Sequence, residues 1–388
     1  MLPSMISRAT PSQLITFATR AFGLVVLDRG PEGRSKDFHS VKAYVATLEK
    51  LRSVMRSPGN FFRVETAAAI VCLAMVELML PESESNTLAH FGGLGALINM
   101  YSPEVFESGD FHVIFVGCRP VLLLQALNSR KSTFLGLEEW LRVPFRKQSP
   151  SEMQTLLGDI AILPSILEDI DHLQSQGPNP SPSPSPSPSN LKSRLSEVLA
   201  RLSKWDGHFE IRQKRSARIH IHNDHSRTST STFTPVPDFW FPNLLAANIS
   251  IHVWAFQIIC LTELSKLNKL FPSGEACDDY NCNLNNPMTI ENASLEKQHK
   301  HKHKPKIPPS TPALALATKI CQSMEYMLQD EMLLYGPAAA MWPLATAYTV
   351  SIQDGDGNKE EIERCWGFMG RIRERGFLSV GVGGLEGR

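Results

Sequence analysis

The sequence predicts an all-α fold, a multi-helix chain with two long disordered insertions. Three observations carry this. Apolar residues recur at three- and four-residue steps in segment after segment, as in Val41, Tyr44, Val45, Leu48, Leu51 and Met55, which places them on one face of a helix. No run alternates apolar and polar residues long enough to make a strand of a sheet. Two segments, near 212–235 and 271–311, are polar and lack the apolar side chains that a core requires.

Taken in order, residues 11–27 form a helix with Leu14, Phe17, Ala18, Ala21, Phe22 and Val25 on one face, stopped by Asp28-Arg-Gly-Pro. The Arg- and Ser-bearing start also has the composition of a mitochondrial presequence; a first core helix fits the rest of the chain better. A second helix covers 40–55. A third, 64–80, is apolar nearly all round and should be central. A fourth covers 86–99. Residues 111–127 put Phe111, Ile114, Phe115, Cys118 and Leu122 on a helical face, with Pro120 inside. Proline removes a helical hydrogen bond, so a kink or break at 117–120 is predicted, Pro120 opening a second segment. Short helical pieces follow at 137–142, at 149–162 with Pro150 in the first turn, and up to Leu173. Alternating Ser and Pro over 176–190 favours extended chain and reads as a linker between a first half, 1–175, and a second half, 191–388. The second half carries a helix at 191–205, an aromatic anchor Asp238-Phe-Trp-Phe-Pro, and a strong helix at 243–270. A helix from Thr311 to about Leu334, the segment Trp342–Tyr348 and a helix at 360–375 complete it.

Composition excludes several classes. Lys plus Arg equal Asp plus Glu at 39 each, so no global basic field draws the chain onto nucleic acid or membrane. The seven cysteines are odd in number, scattered, and never spaced CxxC. Zinc-finger and redox spacings therefore fail, and a reducing compartment is expected. The apolar run Ala67–Leu80 contains Glu77 and falls short of the roughly 20 residues a bilayer span needs. With no secretory signal, the sequons at Asn248 and Asn292 are expected to stay unmodified.

Individual motifs give no enzyme. Gly92-Gly-Leu-Gly95 resembles a dinucleotide loop, but Ile98 stands where the third glycine belongs and no strand precedes it; close helix approach is the better reading. Asp354-Gly-Asp-Gly-Asn358 begins like a calcium loop, then places Lys359 and Cys365 at the positions that need Gly and Glu. His299, His301 and His303 alternate with lysines that repel a cation. No Gly-x-Ser-x-Gly occurs, and His90, His112, His172, His208 and His252 stand singly. Arg212, Lys214, Arg215 and Arg218 form a basic cluster that reads as a solvated loop or a nuclear-import patch. Neither a catalytic residue nor a cofactor or metal is assigned.

One stretch is more specific as an ordered set. His90 and Gly93 lead to Ser102-Pro103, then Phe115 and Arg119, Ala126-Leu127 and Arg130, Phe134-Leu135, Trp140, and Pro144-Phe145. Trp342-Pro343-Leu-Ala-Thr-Ala, Trp366 and Arg375-Gly-Phe377 follow in the second half. In this order the residues resemble the regulatory region of fungal binuclear zinc-cluster transcription factors. The six-cysteine module with which that family reads DNA is not represented; the first cysteine, Cys72, lies in an apolar helix. The resemblance thus implies a helical regulatory domain in the nucleus, alternatively the cytoplasm. It implies contacts with the transcription machinery or a related regulator, with dimerisation open and no direct DNA contact. Service to a secondary-metabolite gene cluster is a further expectation. A helical accessory protein without a transcriptional role is the alternative, and an all-helical enzyme a more remote one.

Overall fold

The computed structural model describes residues 12–27, 38–56, 63–80, 86–175, 186–213, 238–272, 311–353 and 359–377. Among them are thirteen α-helices: α1 (Gln13–Leu27), α2 (Phe38–Met55), α3 (Val64–Glu77), α4 (Asn86–Asn99), α5 (Gly109–Ser129), α6 (Glu138–Arg142), α7 (Glu152–Ile160), α8 (Leu163–Ser175), α9 (Pro188–Ser203), α10 (Leu244–Leu270), α11 (Pro312–Met327), α12 (Tyr335–Gln353) and α13 (Lys359–Glu374). The only strands among the described residues are Arg212–Gln213 and Phe239–Trp240, paired antiparallel. The fold is all-α, as the periodicity predicts. Most of the segments read as insertions or linker, 176–185, 214–237 and 273–310, lie outside the described residues.

The helices pack as a chain of neighbours. α1, α2 and α3 meet pairwise, α3 packs on α4 and α5, and α5 on α7 and α8. α9 joins α7 and α8 to α10, and α10 carries α11 and α12; α13 docks on α12 and α11. The main apolar core runs through all of this, from Ile15 to Phe377, and a small second cluster of Leu14, Ala18, Ala69 and Cys72 lies between α1 and α3. α3 is central, as expected: Thr66, Ala67, Ala68, Ala69, Leu73 and Ala74 are all buried. α10 is buried along most of its length, from Ala246 to Cys260 with one exception. By length and composition α5 and α10 would each pass for a membrane span, and α10 is longer than the Ala67–Leu80 run. Within this fold 78% of the apolar window of α10 is covered by other helices.

Local chemistry explains the ends. Ser187, Asn243 and Thr311 accept hydrogen bonds from the backbone N–H three residues on, and Pro188 and Pro312 occupy first-turn positions, where a proline wastes no donor. α9 thus starts inside the Ser/Pro segment rather than at Leu191. At α7 the cap is Ser151, bonded from Gln154 N, so Pro150 precedes the helix instead of opening it.

Four further readings are corrected. Pro120 does not break α5 or open a second segment; the helix runs through it. The carbonyl of Val116, four residues back, is the one a proline leaves without a donor; here Gln154 Nε2 donates to it at 2.9 Å. Likewise α12 begins at Tyr335 and runs through Pro343, whereas α11 stops at Met327, followed by a 3₁₀ turn at Asp330–Met332. In α2 the buried face is Ser40 and Thr47 with part-buried Tyr44, while Val41 and Val45 are exposed. The side of α2 turned inward is the one that lets Tyr44 reach Glu77. In α1, similarly, Phe17 is exposed and Ile15 is buried.

Candidate functional site

α5 ends in a Schellman motif. Lys131 N–H donates to Ala126 O and Arg130 N–H to Leu127 O, and Arg130 itself adopts φ 52°, ψ 43°, a left-handed conformation usually given to glycine. Its side chain explains why a larger residue stands there. Arg130 Nε donates to both oxygens of Asp171 at 2.9 Å, and its terminal nitrogens reach Glu263 at 3.1 and 3.4 Å. Lys266 Nζ adds a bond to Glu263 at 3.0 Å. Glu263 is buried in the middle of apolar α10, and these two cations make that possible. Beside it, Ser132 N–H and Lys131 hold Glu168; its hydrogen bonds with Ser132 pull the carboxyl down to about 2.

This corner forms one wall of a groove of 240 Å³ between α5, α8, α10 and α12. Its apolar floor includes Leu127, Leu167 and Ile258; Thr262, Thr346 and Thr349 supply hydroxyls. The opposite wall is Trp342. Its indole Nε1–H donates to Asn128 Oδ1 at 2.8 Å across 214 positions of sequence. Its ring stacks on His252 with centroids 5.9 Å apart and planes at 11°, and tilts against Phe256 at 5.2 Å. His252 Nδ1 bonds the carbonyl of Asn248 at 2.8 Å, so that nitrogen carries the proton and donates. Burial pushes the His252 imidazole down to about 4, and the ring under Trp342 is neutral.

A second cluster lies among α2, α3 and α4. Glu77, fully buried, meets His90 Nε2 at 2.9 Å and accepts from the Tyr44 hydroxyl. Burial, then this bond, push the Tyr44 phenol upward. His90 lines an apolar groove of 300 Å³ with Leu51, Met55, Ile70 and Met100. Gly93 lines it too. Gly92 and Gly95 instead allow the close approach expected of them: a Cβ would stand 3.2 Å from Gln125 Nε2 and from Leu122 Cδ2, respectively.

The remaining signature residues are structural. Phe115 and Trp140 pack with Phe106 at centroid distances of 5.6 to 5.8 Å, and Pro144 is buried in the turn Val143–Phe145. Arg119 is buried there, its Nη1 donating to Gln154 O at 2.8 Å and Oε1 at 3.0 Å, its guanidinium 5.3 Å from the Phe145 ring. Desolvation lowers Arg119 to about 10. Pro343 is buried within α12, and Trp366, partly exposed, packs edge-on to Tyr348. Of the basic patch, Arg212 opens the first short strand; Lys214, Arg215 and Arg218 lie outside the described residues, as do 354–358 and His299–His303. Among the described residues no group of three or more His, Cys, Asp or Glu is placed to hold a metal ion.

Of the residues singled out from sequence, then, Arg130 and Trp342 share one groove, and Phe115, Arg119, Trp140 and Pro144 share one buried anchor. Asn128, Asp171, His252 and Glu263 were not foreseen as members of the first, nor Gln154 of the second. Glu77 offered a signal, a carboxylate inside an apolar helix, that called for a partner such as His90. Comparison with known proteins gives no match: no family model fits the chain, and no curated protein and no solved structure matches it.

Proposed function

We propose that this chain is the helical regulatory body of a transcriptional regulator, controlled at the groove between α5, α8, α10 and α12 and acting through contacts with other regulators. The observation that carries the reading is the Trp342–Asn128 hydrogen bond. The two stretches resembling the zinc-cluster regulators, one from His90 to Phe145 and one from Trp342 to Phe377, are far apart in sequence, and each supplies residues to the same groove, Arg130 from the first and Trp342 from the second. Control of a secondary-metabolite gene set, and nuclear residence through the patch at Arg212, Lys214, Arg215 and Arg218, belong to the same proposal. A tagged copy expressed in the native organism tests it: nuclear accumulation and a defined set of transcripts altered by deletion are expected. A cytoplasmic protein whose deletion leaves every transcript unchanged refutes it, and leaves the accessory-protein reading.

A catalytic reading has one observation in its favour, the His90 imidazole held by buried Glu77 at the wall of an apolar groove. Such a pair can orient an imidazole as a general base. Screening small apolar carbonyl compounds by thermal shift tests it. A ligand that raises the melting temperature of the wild type but not of His90→Gln, and is turned over, would displace the regulatory reading.

A further inference from the structure

Five cysteines are described, all buried and unbridged: Cys72, Cys118, Cys260, Cys321 and Cys365. Two of them touch. Cys321 Sγ on α11 lies 3.1 Å from Cys365 Sγ on α13, 44 positions on. That separation is about 1 Å longer than a disulfide bond, so little movement joins the two helices. No CxxC spacing announces the pair; the packing of α13 on α11 makes it.

We propose that Cys321 and Cys365 are a reversible modification site, a dithiol that a peroxide converts to a disulfide pinning α13 to α11. One thiolate attacks the peroxide, its O–O bond breaks, and a sulfenic acid and one water form. The second thiol attacks that sulfur, forming the S–S bond and releasing a second water. Two thiols thus lose two electrons and two protons, which the peroxide takes up. A dithiol reductant reverses the step, as a reducing compartment requires.

The same surroundings set when this happens. Both sulfurs are fully buried. The contact with Cys365, then burial, push the Cys321 thiol upward, and thiolate is the reactive form. In the closed molecule the pair is therefore protected. α13 packs on α12 and α11 alone among its main contacts, so it can lift off as a local unit without unravelling the rest. Peroxide reaches the sulfurs in that opened state, and reclosure brings them together. The loop so closed contains α12, which carries Trp342, Thr346 and Thr349 of the groove. Oxidation therefore fixes one wall of that groove to the terminal helix.

The test uses the full chain with millimolar hydrogen peroxide, followed by alkylation with N-ethylmaleimide in denaturant and peptide mapping. The expected result is the loss of two alkylation sites, at Cys321 and Cys365, in a linked peptide 2 Da lighter than the two thiols. Dithiothreitol should restore both sites. The melting temperature should rise by about 5 °C, from closure of a loop of this length in a chain of this size, and Cys321→Ala or Cys365→Ala should abolish the rise. Full alkylation of both residues after peroxide, a bridge confined to other cysteines such as Cys277 and Cys282, or irreversible oxidation of one sulfur overturns the proposal. Should both alanine variants fail to fold, the wild-type peptide map decides alone.

Discussion

His252 gives the sharpest handle on the groove wall. Its imidazole is buried under Trp342 with Nδ1–H on Asn248 O, and burial lowers its pKa from 6.5 to about 4. Below pH 6.5 the unfolded chain takes up a proton that the folded chain refuses. The stabilisation from the neutral ring is therefore complete above pH 6.5, drains as the pH falls, and is gone below about 4. Over the whole window that is worth about 3 kcal/mol, and at pH 4.5 about 2.5 kcal/mol. His252→Phe keeps a ring against Trp342. It also leaves Asn248 O its helical partner, the N–H of residue 252, so stability at pH 7.5 should change by under about 1 kcal/mol. The assay is urea unfolding of both proteins at pH 7.5 and 4.5. Carboxylates such as Glu168, held at about 2, weaken both proteins alike on acidification. The wild type should lose about 2.5 kcal/mol more than the variant. Equal losses, or an imidazole that titrates near 6.5 by NMR in the folded state, refute the buried neutral ring.

Four further outcomes are expected. Arg130→Ala strands buried Glu263 with Lys266 alone and should cost about 3 kcal/mol in urea unfolding; Arg130→Gly should cost about 1 kcal/mol less, because glycine relieves the left-handed cap, and equal costs would mean that the cap stores no strain. Gln154→Leu removes the donor to Val116 O and the acceptor of Arg119 and should destabilise by about 2–3 kcal/mol, read as a lower melting temperature. Gly336→Ala would set a Cβ 2.1 Å from the backbone oxygen of Met327 and should leave little folded protein by circular dichroism. Gly367→Ala, in exposed mid-helix with nothing within 4 Å, should instead stabilise by about 0.5–1 kcal/mol.

The helices were legible because their signal is local: α9 and α13, for instance, show their buried faces in the three- and four-residue spacing of Leu191, Leu195, Val198 and Leu202, and of Cys365, Met369 and Ile372. What failed was what distant residues decide. Pro120 predicts a break only until Gln154, 38 positions away from Val116, supplies the missing donor. The inward face of α2 is set by where Glu77 stands, which no periodicity within α2 contains. The two-residue strand at Arg212 exists because Trp240 lies opposite it. The groove was half legible. Arg130 and Trp342 drew attention as separate motifs, but their meeting depends on how α5 and α12 cross against α10, and Glu263 read as an ordinary polar residue of a long helix.

The central proposal, transcriptional control through the groove, is tested most directly by transcript profiling in the native organism. Cells lacking the protein are complemented with the wild type or with Thr349→Trp, which fills the groove from α12, after circular dichroism has established that the variant folds. The proposal predicts a defined set of transcripts that changes on deletion, returns with the wild type, and stays changed with Thr349→Trp. A profile unchanged by deletion, or restored equally by both proteins, contradicts it.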